Sequence, residues 1–208
     1  MRVLIVTSLL LALARTAVAE LPASPAPAAP AAPRASSVGV VVELRSDLGF
    51  NRLVEIQFAE GRRASLDVND GTTIAVGASF LPLADGRLAT RATAGLKLQL
   101  LHASNGSALF SAFPLELVEL AYAGPLRLGV GGSVLVAPRL RGSGFLEGQT
   151  RTFGPGPGLL AEAEWIIAPR WRTGIGLRGS WTWLSGGGVS ESGPSIGLVL
   201  RADFDVSR

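Results

Sequence analysis

From Val38 to Phe204, apolar residues recur at every second position, in runs broken by turn residues. Successive strand side chains point to opposite faces, so a period of two predicts β-strands with one apolar and one polar face. In residues 194–204, Ile196, Leu198, Leu200, Ala202 and Phe204 share one face, and Ser195, Gly197, Arg201 and Asp203 the other. Residues 171–183 set Trp171, Ile175, Leu177, Trp181 and Trp183 against Arg172, Gly174, Gly176, Arg178, Ser180 and Thr182. Residues 158–167 set Leu159, Ala161, Ala163, Trp165 and Ile167 against Glu162 and Glu164. The same alternation marks 38–45 (polar face Gly39, Glu43, Arg45), 72–81, 88–100 (Arg91, Thr93, Gly95, Lys97, Gln99) and 125–137 (Arg127, Gly129, Gly131, Ser133). Residues 109–122 alternate least regularly, and Pro114 predicts a bulge there, because proline cannot donate to a ladder.

These runs predict eight strands, each near the length a tilted strand needs to cross a bilayer. The connections at 83–86, 123–124 and 168–170 are short. Those at 46–71, 101–108, 138–157 and 184–193 are longer and carry Gly, Ser, Asn and Pro. Short and long alternate, the pattern of periplasmic turns and outer loops in an antiparallel, up-and-down transmembrane β-barrel. Within 46–71, residues 53–59 and 62–68 form an extra hairpin, placed outside the membrane as an extension of the first loop. As barrel strands they would make ten.

Composition narrows the choice. Only 17% of residues are charged and 26 are Gly, while the mean hydropathy is +0.38. No apolar run is long enough for a membrane helix, and only helices and closed barrels satisfy their backbone polar groups in lipid. There is no Cys and one His, which excludes disulfides, thiolate sites and His-based metal clusters. No metal site and no cofactor are expected. The net charge of +3 includes Arg2 and Arg15 of the leader, so the mature chain carries about +1 and no basic run for nucleic acid.

Alternation alone does not say which face is outside, and a secreted soluble lipocalin-like binding barrel would turn its apolar face inward. The glycine-rich polar face suits a crowded bore. Aromatics stand at strand ends on the apolar face: Phe80, Tyr122, Trp165, Trp171 and Phe204 at one level, Trp181 and Trp183 at the other. These are the expected membrane-interface girdles. The polar face then supplies a lumen ionic network of Glu43, Arg91, Lys97, Arg127, Glu162, Glu164, Arg172, Arg178, Arg201 and Asp203. An eight-stranded barrel is narrow enough to be filled by such side chains. Pairing across the turn at Ala168 predicts Glu164 beside Arg172.

The N-terminus reads as an address. Arg2, the apolar stretch 3–14 and Ala17-Val18-Ala19 fit a signal peptide over 1–19, with the mature chain starting at Glu20. Residues 20–37, rich in Pro and Ala, read as a disordered tether. The barrel domain spans 38–208.

The stretches GTTIAVGASF (71–80), FPLELVELAY (113–122) and RLGVGGSVLVAPRLRGSGF (127–145) resemble an uncharacterised, porin-like group of small bacterial outer-membrane β-barrels. The near-terminal Phe204, preceded by Ser195-x-Gly197, resembles the insertion signal of such barrels, although Asp205–Arg208 overhang it. The resemblance implies an eight-stranded barrel in the cell outer membrane and no known activity. The expected partners are outer-membrane lipid and lipopolysaccharide, with the barrel-assembly machinery during insertion. One chemical element competes. His102-x-Ser104-Asn105, with Glu116, resembles the His-x-Ser-Asn element of outer-membrane lipid A deacylases, where His activates Ser. Asn105-Gly106 is also a strong turn signal, which would separate Glu116 from His102. The expected role is non-enzymatic, structural or surface-interacting through the outer loops.

Overall fold

The computed structural model describes residues 37–57, 63–81, 87–103, 106–144, 147–148, 150–186 and 188–206. The leader, and the tether up to residue 36, lie outside the described residues. Eleven strands are described: β1 (Ser37–Gly49), β2 (Arg52–Gln57), β3 (Arg63–Asp67), β4 (Gly71–Leu81), β5 (Leu88–Ala103), β6 (Gly106–Ala123), β7 (Leu126–Gly144), β8 (Thr150–Thr152), β9 (Gly156–Ala168), β10 (Thr173–Gly186) and β11 (Val189–Asp205). The strands β1, β4, β5, β6, β7, β9, β10 and β11 each pair antiparallel with the next, and β11 pairs back to β1. That last pairing closes an eight-stranded, up-and-down ring. The ten-strand alternative is excluded, because β2 and β3 pair only with each other.

The register fixes the tilt. From Val38 the cross-strand partners run through Phe80, Thr90, Glu119, Val130, Ala161, Gly179 and Ile196 and return to β1 at Leu48, ten residues above the start. At ~4.8 Å between strands and ~3.3 Å per residue, this stagger sets a tilt of about 41° and a gain of about 2.5 Å in height per residue.

Through the middle of the ring, Val40, Val42, Leu44, Ile74, Val76, Leu96, Leu115, Leu117, Val130, Leu159, Ile175, Leu177, Leu198 and Leu200 are exposed on the outside, while the charged residues of the same strands are buried inside. A soluble lipocalin-like barrel has the opposite polarity and is excluded. No helix among the described residues is long and apolar enough to cross a membrane. A closed barrel that is apolar outside and charged inside is the architecture of outer-membrane proteins.

Three expectations are corrected here. The strands run well past the expected ends, to 18 residues in β6, 19 in β7 and 17 in β11. The stretches 101–108 and 184–193, read as long loops, are therefore mostly strand. Ladder hydrogen bonds do not need lipid, so pairing continues beyond the membrane, where sequence alternation changes meaning. Second, the bulge is not at Pro114. It lies on the partner strand, where the β6–β7 register shifts opposite Ser111–Phe113 and Ala137 adopts a left-handed φ of 48°. Pro114 points into the barrel without changing the phase of β6.

Third, the hairpin β2–β3 that extends the first loop turns inward over the bore. Leu53, Leu66 and Val68 are buried against Ala108, Phe110, Ala112, Leu135, Leu140, Phe153 and Leu184, which face inward in the outer part of the ring. The barrel therefore reverses polarity with height. At mid-height it is oily outside and charged within. At its outer end an apolar core lies inside, and Ser107, Ser111, Arg139, Arg141, Ser143, Thr150 and Thr152 face out. The second arrangement is that of a barrel in water.

Candidate functional site

The bore is the most elaborate chemical feature of the fold. Strand parity aims Glu43, Arg45 and Asp47 of β1, Arg91 and Lys97 of β5, Glu116 of β6, Arg127 of β7, Glu162 and Glu164 of β9, Arg178 of β10, and Arg201 and Asp203 of β11 inward, all buried. Among the described residues this gives six cations and six carboxylates, a neutral filling.

All of them except Asp203 form one connected ladder. At the outer end Lys97 Nζ donates to the Asn69 carbonyl at 2.8 Å and to Asp47 Oδ2 at 2.7 Å. Arg45 links Asp47 (3.0 Å), Glu116 (3.1 Å) and Glu43 (2.8 Å). Arg178 grips Glu116 with two hydrogen bonds of 2.6 and 2.7 Å. Arg201 then bridges Glu43 (2.7 Å), Glu162 (2.9 Å) and Glu164. Arg91 binds Glu162 at 2.7 Å, and Arg127 donates to Glu164 at 3.0 Å through Nε. The Arg127 guanidinium lies 6.0 Å above the Tyr122 ring at the periplasmic end. Asp203 stands apart and accepts from Ser79 Oγ at 2.8 Å. Val118, Leu120, Leu160 and Ala89 fill the remaining side of the lower bore.

Glycines make the room. A Cβ at Gly197 would lie 2.2 Å from Asp47 Oδ1, and one at Gly39 would lie 2.3 Å from Asp203 Oδ1. A larger side chain at either position would displace a carboxylate of the bore. The outer end is closed by the hairpin and its turn, where Asn69 Nδ2 donates to Ser195 Oγ at 2.9 Å. Beside it, Asp70 accepts from Gly71 N–H at 2.8 Å and Gln99 Nε2 at 2.7 Å. Burial raises the Asp70 carboxyl above its ordinary pKa, against the lowering effect of the Gly71 N–H.

The expected set and the observed one overlap without coinciding. Arg172 is not in the bore. A 3₁₀ turn at Pro169–Trp171 precedes it, its own φ is left-handed, and the register shifts after Thr173. Glu164 therefore lies opposite Gly176. Arg45, Asp47 and Glu116 belong to the ladder and were not in the expected set. Arg45 was visible on the polar face of 38–45, Asp47 was hidden inside a segment read as loop, and Glu116 sits in the strand with the weakest alternation. Tyr122 is no interface aromatic: it is half-buried in the bore, packed beside Val118 and Leu120. Phe80, Trp165, Trp171, Trp181, Trp183 and Phe204 do face outward and are exposed. By the strand tilt, Trp181 and Trp183 stand about 24 Å above the other four, close to the ~25 Å apolar band of such barrels.

His102 and Glu116 of the deacylase-like element do not come together. His102 faces outward and pairs with Ser107. Glu116 pairs with Thr93 and points into the bore. The two are about 30 Å apart along the β5–β6 ladder at ~3.3 Å per residue. Ser104 and Asn105 lie outside the described residues. Among the described residues no group of His, Asp or Glu has the makings of a metal site.

Compared by sequence, the chain matches no family model and no curated protein. Compared by backbone, it is similar to the attachment invasion locus protein Ail of Yersinia pestis, solved in complex with the heparin analogue sucrose octasulfate. The identity is 8% and the TM-score 0.45, over 81% of this chain and 96% of that one. It is also similar to Neisserial surface protein A, at 12% identity and a TM-score of 0.40, over 84% and 99% of the two chains. The outer membrane protein AlkL, solved by solid-state NMR in DMPC lipid bilayers, gives 11% and 0.37, over 89% and 98%. Likeness this distant identifies neither an activity nor a ligand.

Proposed function

We propose that this protein is a non-enzymatic resident of the outer membrane, closed to solute flow, whose projecting outer end meets molecules at the cell surface. In this reading residues 1–19 are a signal peptide cleaved before Glu20, 20–37 are a tether, and 38–208 are inserted by the barrel-assembly machinery into lipid and lipopolysaccharide. The ladder of six cations and five carboxylates carries the proposal. It runs from the hairpin turn to the periplasmic end and leaves the cap β2–β3 seated above it. A solute path would have to break several buried ion pairs at once, each costly to separate. The outer ends of β5–β6, β7–β8 and β10–β11 then act as the exposed surface in place of mobile loops.

The test is a planar-bilayer recording on the mature protein. The expected trace has no steady channel conductance. A large, stable conductance would overturn the closed reading, and an N-terminus other than Glu20 in the mature protein would overturn the leader boundary.

A further inference from the structure

The outward face of β7 changes character at the bulge. Below it, odd-numbered residues from Arg127 to Leu135 point toward the bore. Strict alternation would send Arg139 and Arg141 inward as well. Val136 and Ala137 are instead both exposed, and from Arg139 onward the odd residues face out. A bulge can re-aim side chains in this way, and this one is made by a non-glycine residue held at a left-handed φ of 48°. The same step seats Leu140 in the inner core.

The two arginines therefore stand on the outer wall of the barrel. By the strand tilt they lie about 5 to 10 Å above the Trp181–Trp183 girdle, the depth of lipid headgroups rather than acyl chains. Three of their four cross-strand neighbours on that face are hydroxyls: Arg139 lies between Ser111 and Thr152, and Arg141 between Leu109 and Thr150. One row higher, Ser107 and Ser143 join their hydroxyls at 2.7 Å, and His102 is opposite Ser107. Among the described residues neither arginine forms an ion pair, whereas every arginine in the bore does.

We infer that Arg139 and Arg141, with Ser111, Thr150 and Thr152, form a site for the phosphate of an outer-leaflet lipid, a phosphorylated glycolipid pressed against the barrel wall. Guanidinium groups bind phosphate oxygens through paired, charge-assisted hydrogen bonds, and hydroxyls complete the shell. The position is one that a membrane-bound phosphate reaches from the side, with its acyl chains lying along Phe113 and Val136 below. This inference rests on the outer-membrane reading above and adds the lipid group recognised and the residues that hold it.

The experiment uses the full mature protein in zwitterionic detergent. Heat-modifiable migration on a gel first establishes that the barrel is folded; its absence would count against the membrane reading itself. Native mass spectrometry then measures retention of bisphosphorylated lipid A, of the same lipid after phosphatase treatment, and of the phosphorylated lipid with millimolar inorganic phosphate. Folded wild type is expected to retain the phosphorylated lipid at least tenfold better than the dephosphorylated one, with little displacement by inorganic phosphate. R139A/R141A is expected to lose that preference, and R139K/R141K to keep part of it, at unchanged heat-modifiability. Equal retention of the two lipids by folded wild type, or an undiminished preference in R139A/R141A, would overturn the site. Full displacement by inorganic phosphate would overturn its assignment to a lipid.

Discussion

Arg201 touches three carboxylates, Glu43, Glu162 and Glu164, and all four side chains are buried. Its removal leaves buried negative charge in excess, the condition under which a broken ion pair costs most. Arg201→Met is expected to destabilise the barrel by about 3–5 kcal/mol. Arg172, of the same type and on the next strand's threshold, is half-exposed in a turn, and Arg172→Met is expected to cost less than about 0.5 kcal/mol. Urea unfolding followed by tryptophan fluorescence in detergent micelles compares the two; similar losses would contradict the ladder as drawn. The sequence shows Arg201 facing inward because its neighbours alternate cleanly. It misplaces Arg172 because a turn resets parity, and turn geometry is written in backbone angles rather than in residue type. Tyr122 fails for a different reason. In β6 both faces carry apolar residues, so Phe113, Leu115 and Leu117 outside and Val118 and Leu120 inside leave no contrast from which to read the phase.

At the scale of elements, strand existence and pairing order were legible, and strand ends were not. Alternation is a record of two different solvents on two faces. Where β5, β6, β10 and β11 leave lipid, the outer face meets water and the code weakens, although the ladder continues to Ala103–Gly106 and Gly186–Val189. The hairpin β2–β3 was legible as a hairpin, but its place over the bore was not, because Leu53 and Leu66 carry no mark of which apolar surface they will cover. Leu66 is fully buried in that cap. Leu66→Ala is expected to cost about 2–5 kcal/mol in the same unfolding assay. Replacing residues 52–67 by a short turn is expected to lower the heat-modification temperature while leaving bilayer conductance near zero, since the ion-pair ladder lies below the cap. Channel activity in that variant would mean that the cap, and not the ladder, seals the barrel.

For the whole molecule, polarity as a function of height is the property from which the rest follows. The oily exterior ends where the interior becomes oily, and Trp181, Trp183 and the β7 bulge stand at that boundary. A membrane placed there makes a quantitative demand: the cost of an outward charge must depend on depth. Leu177 is exposed near mid-height on β10, and Ser185 is exposed on the same strand eight residues farther out. In lipid, Leu177→Arg is expected to cost about 2–4 kcal/mol, and Ser185→Arg about 0–1 kcal/mol. Refolding into phosphatidylcholine vesicles at graded urea concentrations measures both. In water the two would be nearly equal, because an exposed arginine on a sheet surface is well solvated at any height. A flat profile would thus remove the bilayer from around the ring. A steep one would set the upper limit of the apolar band between these two residues and leave Arg139 and Arg141 on its polar side.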